Sequence, residues 1–453
     1  MPKITGLNRR NFLRGAGMTA LAGAVGTGSA STAAAADDSM PYLVNGKYDF
    51  DTVYDRVGTD STKWDRQISL FGDNVKVGMG IADTDFRAAP CIGEAMTERL
   101  KHENWGYLSS ECLASFRETI AEWNHDRYGL DVDPRSLVIA TGVHPGLIAS
   151  ISTLSPPMSK VLLMTPTYNG FYSDVRNTRT IKNENEMVFE DGHYSIDWDD
   201  LEARMTADTH TMLLCNPQNP TGNVWSEEDL LRIGELCLKH QVIVLSDEIH
   251  ADFVRAGQKF TPFASLPDKD IVNNSLSFRA ITKTFSMPAS KNAYWFSTNP
   301  VMLDRVKKNH QAGINTLGVV ANEAAYKHGK DWLDQLLVYL DDNHTFVENF
   351  VRDNLPGVRY TKSEGTFLSW LHFDEIMDAV GVVERSKASQ MTDQPMTETQ
   401  AFEAWLVENS GVQLNDGEGY GKGSQRCMRM NIGCSRKMLN FAMSNVAEAI
   451  NKI

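Results

Sequence analysis

The chain has 453 residues, of which 42% are hydrophobic and 23% charged, and a formal net charge of −14 at pH 7. That length suffices for two or more domains around a large core, and the composition is ordinary for a globular protein. The acidic balance argues against nucleic-acid binding and otherwise bears on solubility.

Taken in order, the N-terminus reads as a processing segment. Arg9 and Arg10 stand in NRRNFLR, ahead of a weakly apolar stretch over 16–36 rich in Ala, Gly, Ser and Thr. This resembles a twin-arginine export signal, with cleavage expected just before Asp37. The plainer alternative is a disordered tail with a chance arginine pair. Removal of Lys3, Arg9, Arg10 and Arg14 takes the net charge from −14 to −18. The signal implies a periplasmic or secreted protein. No other stretch of ~20 uninterrupted apolar residues appears, so no membrane anchor is expected beyond it. The six cysteines, at 91, 112, 215, 237, 427 and 434, form no C-x-x-C pair and no zinc spacing with the histidines. Free buried thiols are the expectation, and no metal site is.

Residues 40–80 are mixed and loop-rich, and 77–86 read VGMGIADTDF. An amphipathic helix is predicted over 89–101, opened by Pro90, and NWGY follows at 104–107. A strand over 137–140 runs into the turn TGVHPG, residues 141–146, and then an apolar helix. Such a turn exposes backbone N–H groups at a helix N-terminus, where a phosphate binds well. Another strand, 161–165, precedes PTYNGF at 166–171.

Residues 211–250 read strand, loop, helix, strand. The first strand ends in NPQNPTG, residues 216–222, too rich in turn formers to be helical. Ser226 is the N-cap of the helix, with Glu227, Glu228 and Asp229 in its first turn. The second strand, 241–246, carries Asp247 and Glu248 at its carboxyl end, the end at which open α/β sheets bind ligands. A carboxylate there needs a reason, because burying an unpaired charge is costly. A strand over 276–278 leads into RAITKTF, residues 279–285. The region 299–350 is largely helical, with Gly313 and Gly318 marking a turn and Trp332, Leu333, Leu336, Leu337 and Leu340 forming an apolar face. Strands are predicted at 358–360 and 366–371, a polar loop at 383–399, a strand in RCMRMNIGC at 426–434, and a closing helix at 438–450.

These motifs, in this order over about residues 40–453, resemble the fold-type I pyridoxal phosphate (PLP) enzymes of the aspartate aminotransferase superfamily. The MalY/PatB-like cystathionine β-lyases are the branch they are most similar to. The resemblance implies an α/β fold: a large domain with a mostly parallel seven-stranded sheet between helices, plus a smaller α+β domain. It implies an arm with part of the small domain at 37–85, the large PLP-binding domain at 86–325 and the small domain at 326–453, after the signal at 1–36.

The resemblance also implies roles. Lys283 forms the Schiff base with PLP, Asp247 pairs with its pyridine nitrogen, and Asn219 and His250 serve its phenolic oxygen. Tyr168 stacks on the ring and counts with Lys283 as catalytic. Gly142 and Val143 cradle the phosphate, and His144, where the family has an apolar residue, adds a donor. Ala280 replaces a phosphate-binding serine and Lys291 stands where relatives place an arginine, so Lys291 is expected to compensate as a point charge. Lys291 is also the rival for the Schiff base. Tyr107 is expected to reach the phosphate of a partner subunit, which implies a homodimer with shared active sites. Arg429 grips the substrate α-carboxylate through its planar fork. Gly80 replaces the family's tryptophan, so an altered substrate pocket is expected.

The implied reaction acts on an L-amino acid. Freed Lys283 removes the Cα proton, a β-sulfur leaving group departs, and the remainder hydrolyses to pyruvate and ammonia. An S-conjugate or sulfoxide of cysteine is the expected substrate. Residues that fix PLP do not separate elimination from transamination, so an aminotransferase is the alternative. A PLP-carrying regulatory or binding protein is the alternative of another class; the export signal and the intact Lys283 weigh against it.

Overall fold

The computed structural model describes residues 42–108 and 113–453. The expected export signal and its cleavage site lie outside the described residues.

Seven strands build the central sheet: β1 (Val138–Ala140), β2 (Lys160–Thr165), β3 (Ile181–Glu186), β4 (Thr209–Cys215), β5 (Ile243–Asp247), β6 (Ser275–Arg279) and β7 (Ala293–Phe296). They lie side by side in the order β1-β7-β6-β5-β4-β2-β3. Every pairing is parallel except those of β7, which runs antiparallel to β6 and to β1. Parallel strands need crossovers, and the crossover helices cover both faces. This explains why the strands read as continuous apolar runs. Alternate side chains serve opposite faces. Val161, Leu163, Leu213 and Leu245 pack with Val143, Leu147 and Ile151 of the helix Val143–Leu154. Leu162, Met164, Met212, Leu214 and Val244 pack with Leu230, Ile233 and Cys237 of the helix Glu227–Lys239. Ser226 and Asp229 close that second helix with a reciprocal capping box.

A second, antiparallel sheet contains β8 (Leu368–His372), β9 (Asn415–Asp416) and β10 (Cys427–Asn431), with β10 in the middle. Leu368, Leu371, Met428 and Met430 share a core with Phe402 and Leu406 of the helix Glu398–Ser410 and Leu439, Met443 and Val446 of the helix Arg436–Ile450. Val77–Gly78 pairs in parallel with Val412–Gln413, which ties the N-terminal arm to this region. On the long helix Lys330–Asn354, Trp332, Leu333, Leu336 and Leu340 are buried, while Leu337 is half-buried.

Three local expectations change, and one position is newly defined. Part of the loop expected at 383–399 is the helix Val382–Ser389, whose only buried residues are Val382 and Ser389; its polar composition is that of a solvated helix. Gly318 marks no turn: it lies inside the helix Thr316–His328, where a Cβ would stand 2.3 Å from the Ser290 carbonyl oxygen. Residues 358–360 contribute one isolated bridge, Arg359 to His372, in place of a strand. Lys283 sits on a short helix, Ile281–Thr284, directly after β6. Among the described residues the cysteines are free, and no helix is long and apolar enough to cross a membrane.

Candidate active site

The carboxyl ends of β1, β2, β4, β5 and β6 open on one cavity of about 900 Å³. Gly142, Val143 and His144 reach its wall from the first turn after β1, and Tyr168 from the loop after β2. Asn219 comes from the loop after β4, Asp247 and His250 from the end of β5, and Lys283 and Lys291 from the segment after β6. Arg429 enters from β10. Tyr107 lies elsewhere: it is fully exposed and lines no part of this cavity.

Asp247 is the last residue of β5 and is buried. It accepts the Ile249 N–H at 3.1 Å, and burial pushes its carboxyl up to about 7. Lys283 Nζ donates to the Ala82 carbonyl at 2.7 Å. Desolvation, reinforced by the Arg429 guanidinium, lowers the amine from 10.5 to about 8, so a usable fraction is neutral at ordinary pH. Arg429 is buried in the middle strand of the second sheet. Its Nη1 donates to Asn219 Oδ1 at 3.1 Å and its Nη2 to the Gly80 carbonyl at 2.9 Å, while Nε has no hydrogen-bond partner among the described residues. His250 is held well below its ordinary pKa by burial, so it is neutral, and its Nδ1 has no hydrogen-bond partner among the described residues.

The helix Val143–Leu154 starts at Gly142 with no side-chain cap, which leaves first-turn N–H groups for an anion. His144 is not a free donor beside it. Both its ring nitrogens are engaged, Nδ1 with Asp174 Oδ2 at 2.7 Å and Nε2 with Tyr168 Oη at 3.3 Å.

The segment 77–86 does structural work not foreseen from its motif. Asp85 is buried and accepts from Lys63 Nζ at 2.7 Å, Arg56 Nη1 at 2.9 Å and Trp64 Nε1 at 3.0 Å. That anchor holds Ala82, with its carbonyl at Lys283. Gly80 is buried and lies outside the cavity lining. A Cβ there would meet Gln413 Nε2 at 2.7 Å, so the glycine admits Gln413 and lets its own carbonyl reach Arg429. Gln413 reaches this point from the strand Val412–Gln413, which pairs with Val77–Gly78.

A second missed group is the ion pair of Glu248 with Arg279. Arg279 donates to Glu248 Oε2 through Nη2 at 2.7 Å and Nε at 2.9 Å, with both side chains buried. The pair locks the end of β5 to the end of β6, four residues before Lys283. A lone arginine in the otherwise uncharged strand SLSFR was its signal in the sequence.

The polar atoms left over describe a ligand. Among the described residues Asp247 has no full cationic partner, Arg429 Nε and His250 Nδ1 have no hydrogen-bond partner, and the helix at Gly142 has no side-chain cap. PLP carries a phosphate, a basic ring nitrogen and a phenolic oxygen on one rigid ring, and an amino acid bound to it adds a carboxylate. The residues present fit that group.

Comparisons with known proteins point the same way. The aminotransferase class I and II family matches residues 74–446. The chain is 35% identical over 413 residues to the cystathionine β-lyase PatB of Bacillus subtilis, spanning 89% of this chain and 100% of that enzyme. It is 30% identical over 421 residues to protein MalY of Escherichia coli, across 90% of this chain and 100% of that protein. The PLP-bound C–S lyase of Staphylococcus hominis has a TM-score of 0.80 at 26% identity, covering 90% of this chain and 99% of that one.

Proposed function

The chain belongs to the aminotransferase class I and II family, and on that premise we propose that it is a PLP-dependent carbon–sulfur β-lyase. It converts a cystathionine-like L-cysteine S-conjugate and water into a thiol, pyruvate and ammonia. The observation that carries this reading is the 35% identity with a cystathionine β-lyase over the whole of that enzyme. Lys283, Asp247 and Arg429 around one cavity support it.

Bound in the cavity, PLP supplies a cationic ring that draws off the electron pair left at the substrate Cα. Asp247 holds the proton on the ring nitrogen. Asn219 and His250 serve the phenolic oxygen, and Tyr168 covers a face of the ring. The uncapped helix at Gly142 and Val143, with Lys291, takes the phosphate. Arg429 fixes the substrate carboxylate and thereby orients the Cα–H bond. Lys283 Nζ removes the Cα proton. The Cβ–S bond then breaks, the sulfur leaves with the electron pair and takes up a proton, and water replaces the amine as ammonia is released.

Tyr107, exposed in one chain, serves the phosphate of a second copy, so the working unit is a homodimer with shared sites. Residues 37–85 form the arm, 86–325 the large domain and 326–453 the small domain. The segment 1–36 directs the folded protein out of the cytoplasm by the twin-arginine route, to the periplasm or beyond.

The test mixes cofactor-loaded protein with cystathionine and cysteine S-conjugates, with no keto acid present. Continuous release of pyruvate with equimolar ammonia and thiol is expected. Turnover that waits for an added keto acid would make the protein an aminotransferase instead.

A further inference from the structure

Two residues of the cavity wall, His144 and Tyr168, are in contact, and a third polar side chain stands behind His144. Asp174, on the helix Gly170–Asn177, is 1% exposed, and His144 Nδ1 lies 2.7 Å from its Oδ2. His144 Nε2 lies 3.3 Å from Tyr168 Oη. The His144 and Tyr168 rings are 5.6 Å apart between centroids and tilted by 35°. Gly170 permits this arrangement: a Cβ there would stand 2.5 Å from Tyr168 Cε1 and 2.6 Å from His144 Cε1. A buried carboxylate costs free energy unless it is paired, and the partner of Asp174 is His144. Two chemistry-bearing residues are thus held beside Tyr168 at a point where any residue but glycine would push them apart.

We propose that Asp174 and His144 are positioning residues for Tyr168: Asp174 fixes the imidazole, and the imidazole fixes the Tyr168 hydroxyl through a hydrogen bond whose direction reverses with the protonation of His144. With a neutral ring, Nδ1–H donates to Asp174 and Nε2 accepts the Tyr168 O–H. When His144 takes a proton from solvent, Nε2–H donates to Tyr168 Oη and the phenol proton is released to face the cavity.

Tyr168 keeps its own proton throughout, because burial pushes the phenol up to about 12. Burial opposes the charged form of His144, but the Asp174 carboxylate outweighs it and raises the pKa. The charged groups acting on His144 are Asp174 on its helix, Asp247 at the end of β5 and Lys283 after β6. The device belongs to the wall itself, so it holds whether the bound amino acid undergoes elimination or transamination.

The experiment follows His144 and Tyr168 ring signals by NMR against pH in cofactor-loaded protein, carbon-13 labelled in both residue types. H144Q and Y168F supply the assignments. The Tyr168 signal should move with the midpoint of the His144 titration, and that movement should vanish in H144Q. In D174N the His144 midpoint should fall by about one pH unit or more, the usual effect of removing a neighbouring opposite charge. A Tyr168 signal that ignores the His144 titration, or still moves in H144Q, overturns the proposal. So does an unchanged midpoint in D174N. If D174N fails to fold, H144Q decides alone, since the half-exposed imidazole can be replaced without opening the core.

Discussion

Lys283 is an amine placed where water serves its charge poorly, so Lys283→Met should stabilise the protein once the cofactor is stripped. The cleft lowers the amine from 10.5 to about 8, and that gap corresponds to about 3 kcal/mol against the charged form. Methionine gives up the Nζ hydrogen bond to the Ala82 carbonyl, which costs about 1 kcal/mol. The net gain is about 2 kcal/mol near neutral pH. Because the folded pKa lies below the unfolded one, the unfolded chain holds the lysine proton more tightly. Wild-type stability therefore rises with pH between about 8 and 10.5, and the full penalty applies below about 8. The methionine variant lacks this slope, so its advantage should be complete at about pH 7 and fade toward pH 10.5. Urea unfolding of both cofactor-free proteins, followed by tryptophan fluorescence at about pH 7 and about pH 9.5, measures the difference. A variant less stable at the lower pH, or an advantage equal at both, would refute the reasoning.

Three further outcomes are expected. Asp247→Asn removes a charge-assisted hydrogen bond worth about 1.5–3 kcal/mol, so PLP affinity by fluorescence titration should fall on the order of ten- to a hundredfold; an unchanged affinity would mean that the ring nitrogen does not meet this side chain. Arg429→Ala should lower kcat/KM on the order of a hundredfold, with KM taking the larger share, as steady-state kinetics with an S-conjugate will show. Glu248→Gln strands the buried Arg279 guanidinium and should cost about 3–5 kcal/mol in urea unfolding. Adding Arg279→Met to that variant should restore much of the loss, and a double variant as weak as the single one would argue that packing, not charge, is at fault.

The amino-acid order alone carried the sheet and much of the site. Runs such as KVLLMT and THTMLLC are apolar on both faces, and that composition admits little besides a strand buried between two helix layers. Turn formers after each run mark the carboxyl ends, and in a parallel sheet those ends converge. Lys283, Asp247, Asn219 and Tyr168 line one cavity because each sits at or a few residues beyond the carboxyl end of such a strand, while their roles were read from the resemblance. The helix Val382–Ser389 was not legible, since a solvated helix with two buried residues has a polar composition like that of a loop.

What only the tertiary structure decided are contacts with no local pattern. His144 and Asp174 lie 30 residues apart, Glu248 and Arg279 31, and Gly80 and Gln413 333. In each case the sequence shows a polar residue or glycine with no partner nearby in the chain, while the partner that explains it arrives through folding. Periodicity reports which face of an element is buried. It says nothing about which buried side chain meets which, because that choice is made by the packing of whole layers and by the cost of leaving a charge or a hydrogen-bonding atom alone in the interior.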